Sequence, residues 1–244
     1  MSPLLSIFLL VGIVLVGGLL AQWLPWSEHK SLWKRRVIPF TGAFLLGVVI
    51  LHIFPEVFHA GDRSVALFVL LGFAIQILLD VFSKGIEHGH IHIHGDHMAK
   101  QVTSILLALS VHAFLEGLPL SSGSESLHQH DQHHSYLWAV IFHKLPAAFT
   151  LATMLRMIYG RRAKGWLLLL IFAIMTPLGQ LLGLWMNISG SAYAYIMALV
   201  AGSLLHVSTT IIFEIDAKGS HAITPDRLAA IALGLLVAYL SVAL

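Results

Sequence analysis

The sequence predicts an all-α membrane protein with eight transmembrane helices, and three observations support this fold class. Of the 244 residues, 57% are hydrophobic and only 11% are charged, whereas soluble domains carry about 25% charged residues. The apolar residues form long continuous runs separated by short polar linkers, and the basic residues gather in alternate linkers. A soluble fold of this size could not bury so much apolar surface, so lipid must cover part of it.

Eight apolar runs are long enough to cross a bilayer, since a helix needs roughly 20 apolar residues to span a hydrocarbon core about 30 Å thick. Continuous Leu, Ile, Val, Ala and Phe favour helices over barrel strands, whose residues would alternate. The first run has no basic segment before it and no cleavage site after it, which predicts a retained helix rather than a signal peptide. No linker could hold a soluble domain, so residues 1–244 are predicted to form one transmembrane domain. The predicted spans 1 to 8 cover residues 4–24, 37–58, 64–83, 101–120, 135–158, 165–187, 191–213 and 226–243.

The basic residues predict the orientation of these spans. Arg63 alone lies on one side, and Lys144 lies inside span 5. Because cytoplasmic loops are enriched in Lys and Arg, both termini are predicted to lie outside. The short loops favour a bacterial inner membrane. Twelve basic residues fall on the predicted inner side: Lys30, Lys34, Arg35, Arg36, Lys84, Lys100, Arg156, Arg161, Arg162, Lys164, Lys218 and Arg227.

Composition also narrows the function. The chain has no cysteine, which excludes a disulfide framework and a thiolate metal site. The net charge of +2 is small, and the basic residues lie in loops, so nucleic acid is not an expected partner.

Spans 4 and 5 carry the residues that most strongly indicate a function, since ionisable residues in lipid are costly and usually functional. His112 and Glu116 are four residues apart, which places both on one helical face. His143 lies shortly before Pro146, and a proline frees a backbone carbonyl one turn earlier. Two imidazoles and a carboxylate suit zinc, and also iron or manganese, while three protein ligands leave a coordination position open. Each residue alone could equally be a polar contact between helices.

Other ionisable residues within spans have open interpretations. His52 and Glu56 are also four apart in span 2, and with His206 in span 7 they are candidates for a relay or a secondary site. Lys144 is either a fixed cation in the place of a second metal or an ammonium paired with Glu116 or Glu56 for structural reasons. Asp80 and Glu214 are interpreted as helix-end groups at the inner interface.

Two linkers are rich in histidine, a composition that binds transition metals through neutral imidazole. We interpret them as segments for metal capture, release or sensing, and the alternative is a solvated low-complexity linker. The predicted inner loop, 84–100, contains His88, His90, His92, His94 and His97, and the predicted outer loop, 121–134, contains His128, His130, His133 and His134.

Four segments in spans 2, 4, 5 and 6 resemble the ZIP (Zrt/Irt-like) metal transporter family: Leu-His52-Ile-Phe-Pro-Glu56, His112-Ala-Phe-Leu-Glu116-Gly117, His143-Lys144-Leu-Pro146 and Thr176-Pro177-Leu-Gly179. The resemblance implies a 3+2+3 bundle in which spans 1–3 and 6–8 are inverted repeats around spans 4 and 5. Such repeats commonly hold substrate near the midplane. It further implies that His112, Glu116 and His143 form the primary transport site, and that the protein is a homodimer.

The chain departs from the family pattern at the second metal site. Members with two metals have polar or acidic residues where this chain has Ala113, Lys144, Ala147 and Thr176. These residues imply that the second metal is lost and that Lys144 substitutes for its charge. An acidic residue at position 147 would also have been a ligand of the primary site.

The predicted function is inward transport of a divalent metal through spans 4 and 5, with Zn²⁺ the first candidate and Cd²⁺, Fe²⁺ and Mn²⁺ the alternatives. Metal ions and the bilayer are the expected partners, and no catalytic cofactor or enzymatic activity is expected. Two alternatives remain open: a membrane metal-dependent hydrolase that activates water with the same ligands, and a metal sensor without transport. The His-Glu-x-x-His motif of intramembrane metalloproteases is missing from the sequence.

Overall fold

The computed structural model describes residues 2–23, 36–83, 98–121, 130–213 and 224–243. Every regular element in these ranges is helical, which confirms the predicted all-α class. A π-helical turn, Val49–Ile53, joins α2 to α3, and a 3-10 turn, Leu118–Ser121, follows α5. The helices are α1 (Pro3–Trp23), α2 (Ile38–Val48), α3 (Phe54–Ala60), α4 (Val65–Ser83), α5 (Met98–Gly117), α6 (His130–Tyr159), α7 (Ala163–Trp185), α8 (Gly190–Phe213) and α9 (Pro225–Ala243).

Seven helical segments within the described residues are long and apolar enough to cross a membrane. In lipid a helix satisfies its own backbone hydrogen bonds, which explains why the apolar runs adopt this structure. Helix α9 covers the eighth predicted span, which stays a prediction. The seven segments are Pro3–Trp23, Ile38–His59, Val65–Ser83, Gln101–Ser121, Tyr136–Tyr159, Ala163–Trp185 and Gly190–Phe213.

Helix α6 lies at the centre of the bundle. Its span is 83% buried inside the protein, against 22% for α4. The outward face of α4 carries Leu67, Leu70 and Val81, each about two-thirds exposed, as expected for side chains in contact with lipid. Helix α1 packs against α6 and α7, α5 against α7, α4 against α8, and α2 against α8 and α9.

Glycines allow α5 and α7 to approach closely. A Cβ atom added to Gly117 would overlap the carbonyl oxygen of Thr176, and one added to Gly179 would overlap the carbonyl oxygen of Phe114. Small residues at such contacts let transmembrane helices pack backbone against backbone. The contact fixes the end of α5 that carries Glu116.

Two arginines cap helix ends on the predicted inner side. Arg156 donates from Nη1 to the carbonyls of Ala21, at 2.7 Å, and Gln22, at 2.8 Å, at the end of α1. Arg227 donates to the carbonyl of Ile212 at 2.9 Å, at the end of α8. A cation satisfies the last carbonyls of a helix and its negative dipole end, so these basic residues also have a structural role.

Candidate metal centre

His112, Glu116 and His143 meet in the interior of the bundle. Helix α5 carries His112 and Glu116 one turn apart, and α6 carries His143 opposite them. The Nε2 atoms of both histidines lie 2.7 Å from Oε1 of Glu116. All three residues are buried, and their ligand atoms lie within 4.8 Å of one another. The structure therefore brings together the three residues that the sequence predicts as a site.

Glu116 Oε1 is the atom on which the two histidines converge. An imidazole nitrogen from each lies 2.7 Å from this oxygen, and a buried carboxylate is costly unless it is paired. Neutral imidazole and carboxylate form a mixed N/O donor set that suits zinc and its first-row neighbours.

The His143 ring is oriented by its own helix. Its Nδ1 atom lies 2.8 Å from the Ala139 carbonyl oxygen, one turn earlier in α6. Because a carbonyl can only accept, Nδ1 carries the proton, and a neutral ring then has its lone pair on Nε2. Metal-binding histidines usually donate their other ring nitrogen in this way. Nε2 is the atom that faces Glu116.

Lys144 occupies the other side of the Glu116 carboxylate. Its Nζ lies 3.1 Å from Glu116 Oε2 and 5.3 Å from the centre of the Phe172 ring, and the side chain is buried. Of the two carboxylates considered from the sequence, Glu116 is the one that the described structure pairs with it. The two oxygens of Glu116 thus face different groups, Oε1 the histidines and Oε2 the ammonium.

His52 and Glu56 are not members of this group. His52 is in the π-helical turn, just before Pro55, which lacks the N–H needed to continue the regular helical ladder. Its Nε2 atom lies 3.3 Å from the Ser241 hydroxyl on α9. Glu56 is half-buried and interacts with Tyr193 on α8. A relay or secondary role for these residues stays a prediction.

His206 lies near Asp80 rather than at the cluster. Its Nε2 atom is 3.8 Å from Asp80 Oδ2, and its ring packs edge-on against Phe73 at 5.1 Å. The contact joins α8 to α4. Asp80 is therefore more than a helix-end group, because its carboxylate faces a histidine from another helix.

Sequence reasoning missed Ser203, which contacts His112 at the site, and Gln76, which contacts Ser203. The Ser203 hydroxyl oxygen lies 3.1 Å from His112 Nδ1, and Ser203 donates to Gln76 Oε1 at 2.7 Å. The signal in the sequence is weak, since one Gln and one Ser in apolar spans are typical of ordinary interhelical contacts. Only the packing of α4 against α8 brings them to His112.

Comparison with known proteins identifies the family. The model of the ZIP Zinc transporter family matches residues 87–241, more than half of the chain and the part that contains all three site residues. The chain belongs to the ZIP family. The Zinc transporter ZIP9 of Micropogonias undulatus is 26% identical to this chain over an alignment of 274 residues in length. The alignment covers 89% of this chain and 87% of that protein. This ZIP chain is thus an integral, multi-pass membrane protein of a transporter family, and that family consists of transporters rather than enzymes.

The residues that the family resemblance implies for a second metal site include no carboxylate and no imidazole in this chain. Ala113 and Ala147 are buried, and the Thr176 hydroxyl donates to the Ala113 carbonyl at 2.8 Å. The Thr176 hydroxyl is thereby engaged with the α5 backbone. Within the described ranges, His112, Glu116 and His143 form the one group of three such side chains close enough to share a metal.

The side chains of the histidine-rich loops lie outside the part of the chain that the structure describes. His88, His90, His92, His94, His97 and His128 lie outside the described residues, and so does Glu214. For His130, His133 and His134 the structure describes the backbone, in the first turns of α6, but not the side chains. Metal capture by these loops stays a prediction.

Proposed function

We propose that this ZIP protein carries a divalent metal, zinc first, into the cytoplasm through a site formed by His112, Glu116 and His143. The observation that carries the proposal is the convergence of two imidazole Nε2 atoms on one carboxylate oxygen in the buried interior. Three protein ligands leave a position open for water. A cargo that must leave again is better served by such a set than by a closed four-ligand cage.

The eight-span, 3+2+3 arrangement is part of this proposal. Exchanging spans 1–3 with 6–8, and span 4 with span 5, converts the α1–α6 contact into the α7–α5 contact. The same exchange converts the α4–α8 contact into the α9–α2 contact. All four contacts are present, which supports inverted repeats around α5 and α6. Such repeats can move against each other around a midplane site.

Lys144 has a defined role in the proposed transport step. Its ammonium lies 3.1 Å from Glu116 Oε2 and supplies one positive charge beside the carboxylate. The bound metal then shares its carboxylate ligand with a cation. The electrostatic repulsion weakens the hold on the metal, which favours release. Because the ammonium takes the place of a second metal beside the carboxylate, the proposed site holds one ion.

The proposed route runs from the outer histidine-rich loop to the site and then past inner acidic and histidine groups to the loop at 84–100. Both termini are proposed to lie outside. The homodimer and the bacterial inner membrane stay predictions, and the ZIP9 relative comes from a vertebrate.

Uptake into proteoliposomes that contain a fluorescent chelator tests the proposal. Wild type is expected to import Zn²⁺, with Cd²⁺, Fe²⁺ and Mn²⁺ compared in parallel, whereas His112→Ala and Glu116→Ala are expected to lose uptake. His59→Ala is the matched control, because it removes an exposed imidazole at the end of α3. Wild type that binds metal without importing it would contradict transport and favour a sensor, and hydrolytic turnover lost in His112→Ala would favour an enzyme.

A further inference from the structure

A buried chain of polar groups reaches His112 from two helices that do not themselves carry the proposed metal ligands. Gln76 on α4 accepts from the Ser203 hydroxyl on α8 at 2.7 Å, and the Ser203 oxygen lies 3.1 Å from His112 Nδ1. Gln76 is 0% exposed and Ser203 is 5% exposed. Buried polar side chains in an apolar bundle are costly unless they are hydrogen-bonded. Each of these side chains has a polar partner, and the chain of contacts ends at a proposed metal ligand.

Helix packing holds the chain of contacts in place. A Cβ atom on Gly72 would overlap the Leu199 carbonyl, and one on Gly202 would overlap the Val69 carbonyl. The α4 and α8 backbones therefore touch at these glycines. Gln76 follows Gly72 by one turn and Ser203 is next to Gly202, so the two side chains lie directly beside the contact.

The hydrogen bonds have a defined direction. A serine hydroxyl has a single proton, and Ser203 donates that proton to Gln76 Oε1. The Ser203 oxygen can then only accept from His112, which requires a proton on Nδ1. In a neutral imidazole the lone pair is then on Nε2, the atom 2.7 Å from Glu116 Oε1.

We propose that Ser203, itself oriented by Gln76, is a positioning residue that holds His112 in the Nδ1-protonated tautomer, so that Nε2 is free to bind the metal. This inference rests on the proposed function, because it assigns a role at the same site. The backbone carbonyl of Ala139 has the same role for His143, because it accepts the proton of Nδ1. Both imidazoles then present a lone pair to the same point. Ser203 and Gln76 themselves do not bind the metal.

A purely structural role of Ser203 and Gln76 would have different consequences when they are replaced. If Ser203 and Gln76 only joined α4 to α8, their loss would change the stability of the protein but not the concentration of zinc that half-saturates uptake. Without the Ser203 oxygen, the His112 ring can adopt the other tautomer and donate Nε2–H to Glu116. The metal would then have to displace a proton.

Zinc uptake in proteoliposomes, measured as KM and Vmax, provides the first test. Ser203→Ala is expected to raise KM about 10- to 100-fold, the usual effect of losing a residue that orients a metal ligand, and Ser203→Thr is expected to restore it. Ser203→Cys retains a side chain of similar size with a weak acceptor and replaces Ser203→Ala if that variant does not fold. Ser208→Ala is the control, since Ser208 is buried on the same helix but its hydroxyl donates to the backbone carbonyl of Leu205 in that helix.

The tautomer itself provides a second test that does not depend on transport. In metal-free protein labelled with ¹⁵N-histidine, the His112 resonances are those that disappear in His112→Ala. Wild type is expected to show a protonated Nδ1 and an unprotonated Nε2, and Ser203→Ala is expected to lose that pattern. An unchanged KM or an unchanged tautomer in Ser203→Ala overturns the inference. Failure of His112→Ala to impair uptake would instead overturn the proposed function.

Discussion

At the scale of single residues, the site depends on how the two oxygens of one carboxylate are shared. Glu116 presents Oε1 to the two histidines and Oε2 to Lys144. Before metal binds, the lysine supplies the compensating charge. In the proposed transport step, the same carboxylate faces both the metal and the ammonium, which favours release of the ion.

Replacing Lys144 by methionine tests this division of roles. Lys144→Met leaves Glu116 buried without its cation, and breaking a buried pair in this way typically costs about 3–5 kcal/mol of folding stability. Zinc should recover part of that loss by compensating the charge. We therefore expect a lower melting temperature without metal and a larger zinc-induced rise than in wild type, measured by thermal unfolding in detergent.

Lys164→Met provides the control for this experiment, because Lys164 is exposed and its Nζ lies 4.9 Å from the centre of the Tyr159 ring. Its zinc-induced rise in melting temperature should equal that of wild type. An equal response in Lys144→Met would show that the ammonium does not compensate Glu116.

At the scale of helices, the site is held by close contacts rather than by large side chains. Gly117 and Gly179 bring α5 against α7, so that the residue next to Glu116 touches the backbone of another helix. Helix α6 then places His143 on the opposite side. A change at the helix contact should therefore disturb the site without touching a ligand.

Gly117→Ala tests the helix contact. The added methyl group meets the Thr176 carbonyl oxygen, and overpacking of this kind typically costs about 1–3 kcal/mol. We expect a lower melting temperature and weaker zinc uptake. Gly12→Ala in α1 is the control, since a Cβ there meets nothing within 4 Å and alanine is a better helix former by about 1 kcal/mol. Equal melting temperatures of the two variants would contradict a close α5–α7 contact.

At the scale of the whole molecule, the distribution of basic residues predicts both termini outside an eight-span bundle. The chain has no cysteine, which makes it a ready background for labelling single introduced thiols. An impermeant maleimide applied to intact cells is expected to label Ser2→Cys and Leu244→Cys. Arg162→Cys should react only after the membrane is permeabilised. Labels on opposite sides for the two termini would contradict an even number of spans.

The sequence was sufficient for the parts of the molecule that follow from local chemistry. Apolar runs predict membrane helices because lipid leaves the backbone few alternatives, and the spacing of His112 and Glu116 predicts one shared face. The sequence does not predict the role of Gln76 and Ser203, because that role depends on how α4 packs against α8. The sequence alone also does not identify the partner of Lys144, since the spacing along the chain does not choose between Glu56 and Glu116.

The most direct measurement of the central claim is the position of the metal in crystals of the protein grown with Cd²⁺, located by anomalous diffraction. The account predicts one ion within the membrane-spanning bundle, bound by His112 Nε2, His143 Nε2 and Glu116 Oε1, with Lys144 still beside Oε2. An ion bound elsewhere in the bundle, or a second ion in the place of the Lys144 ammonium, would contradict it.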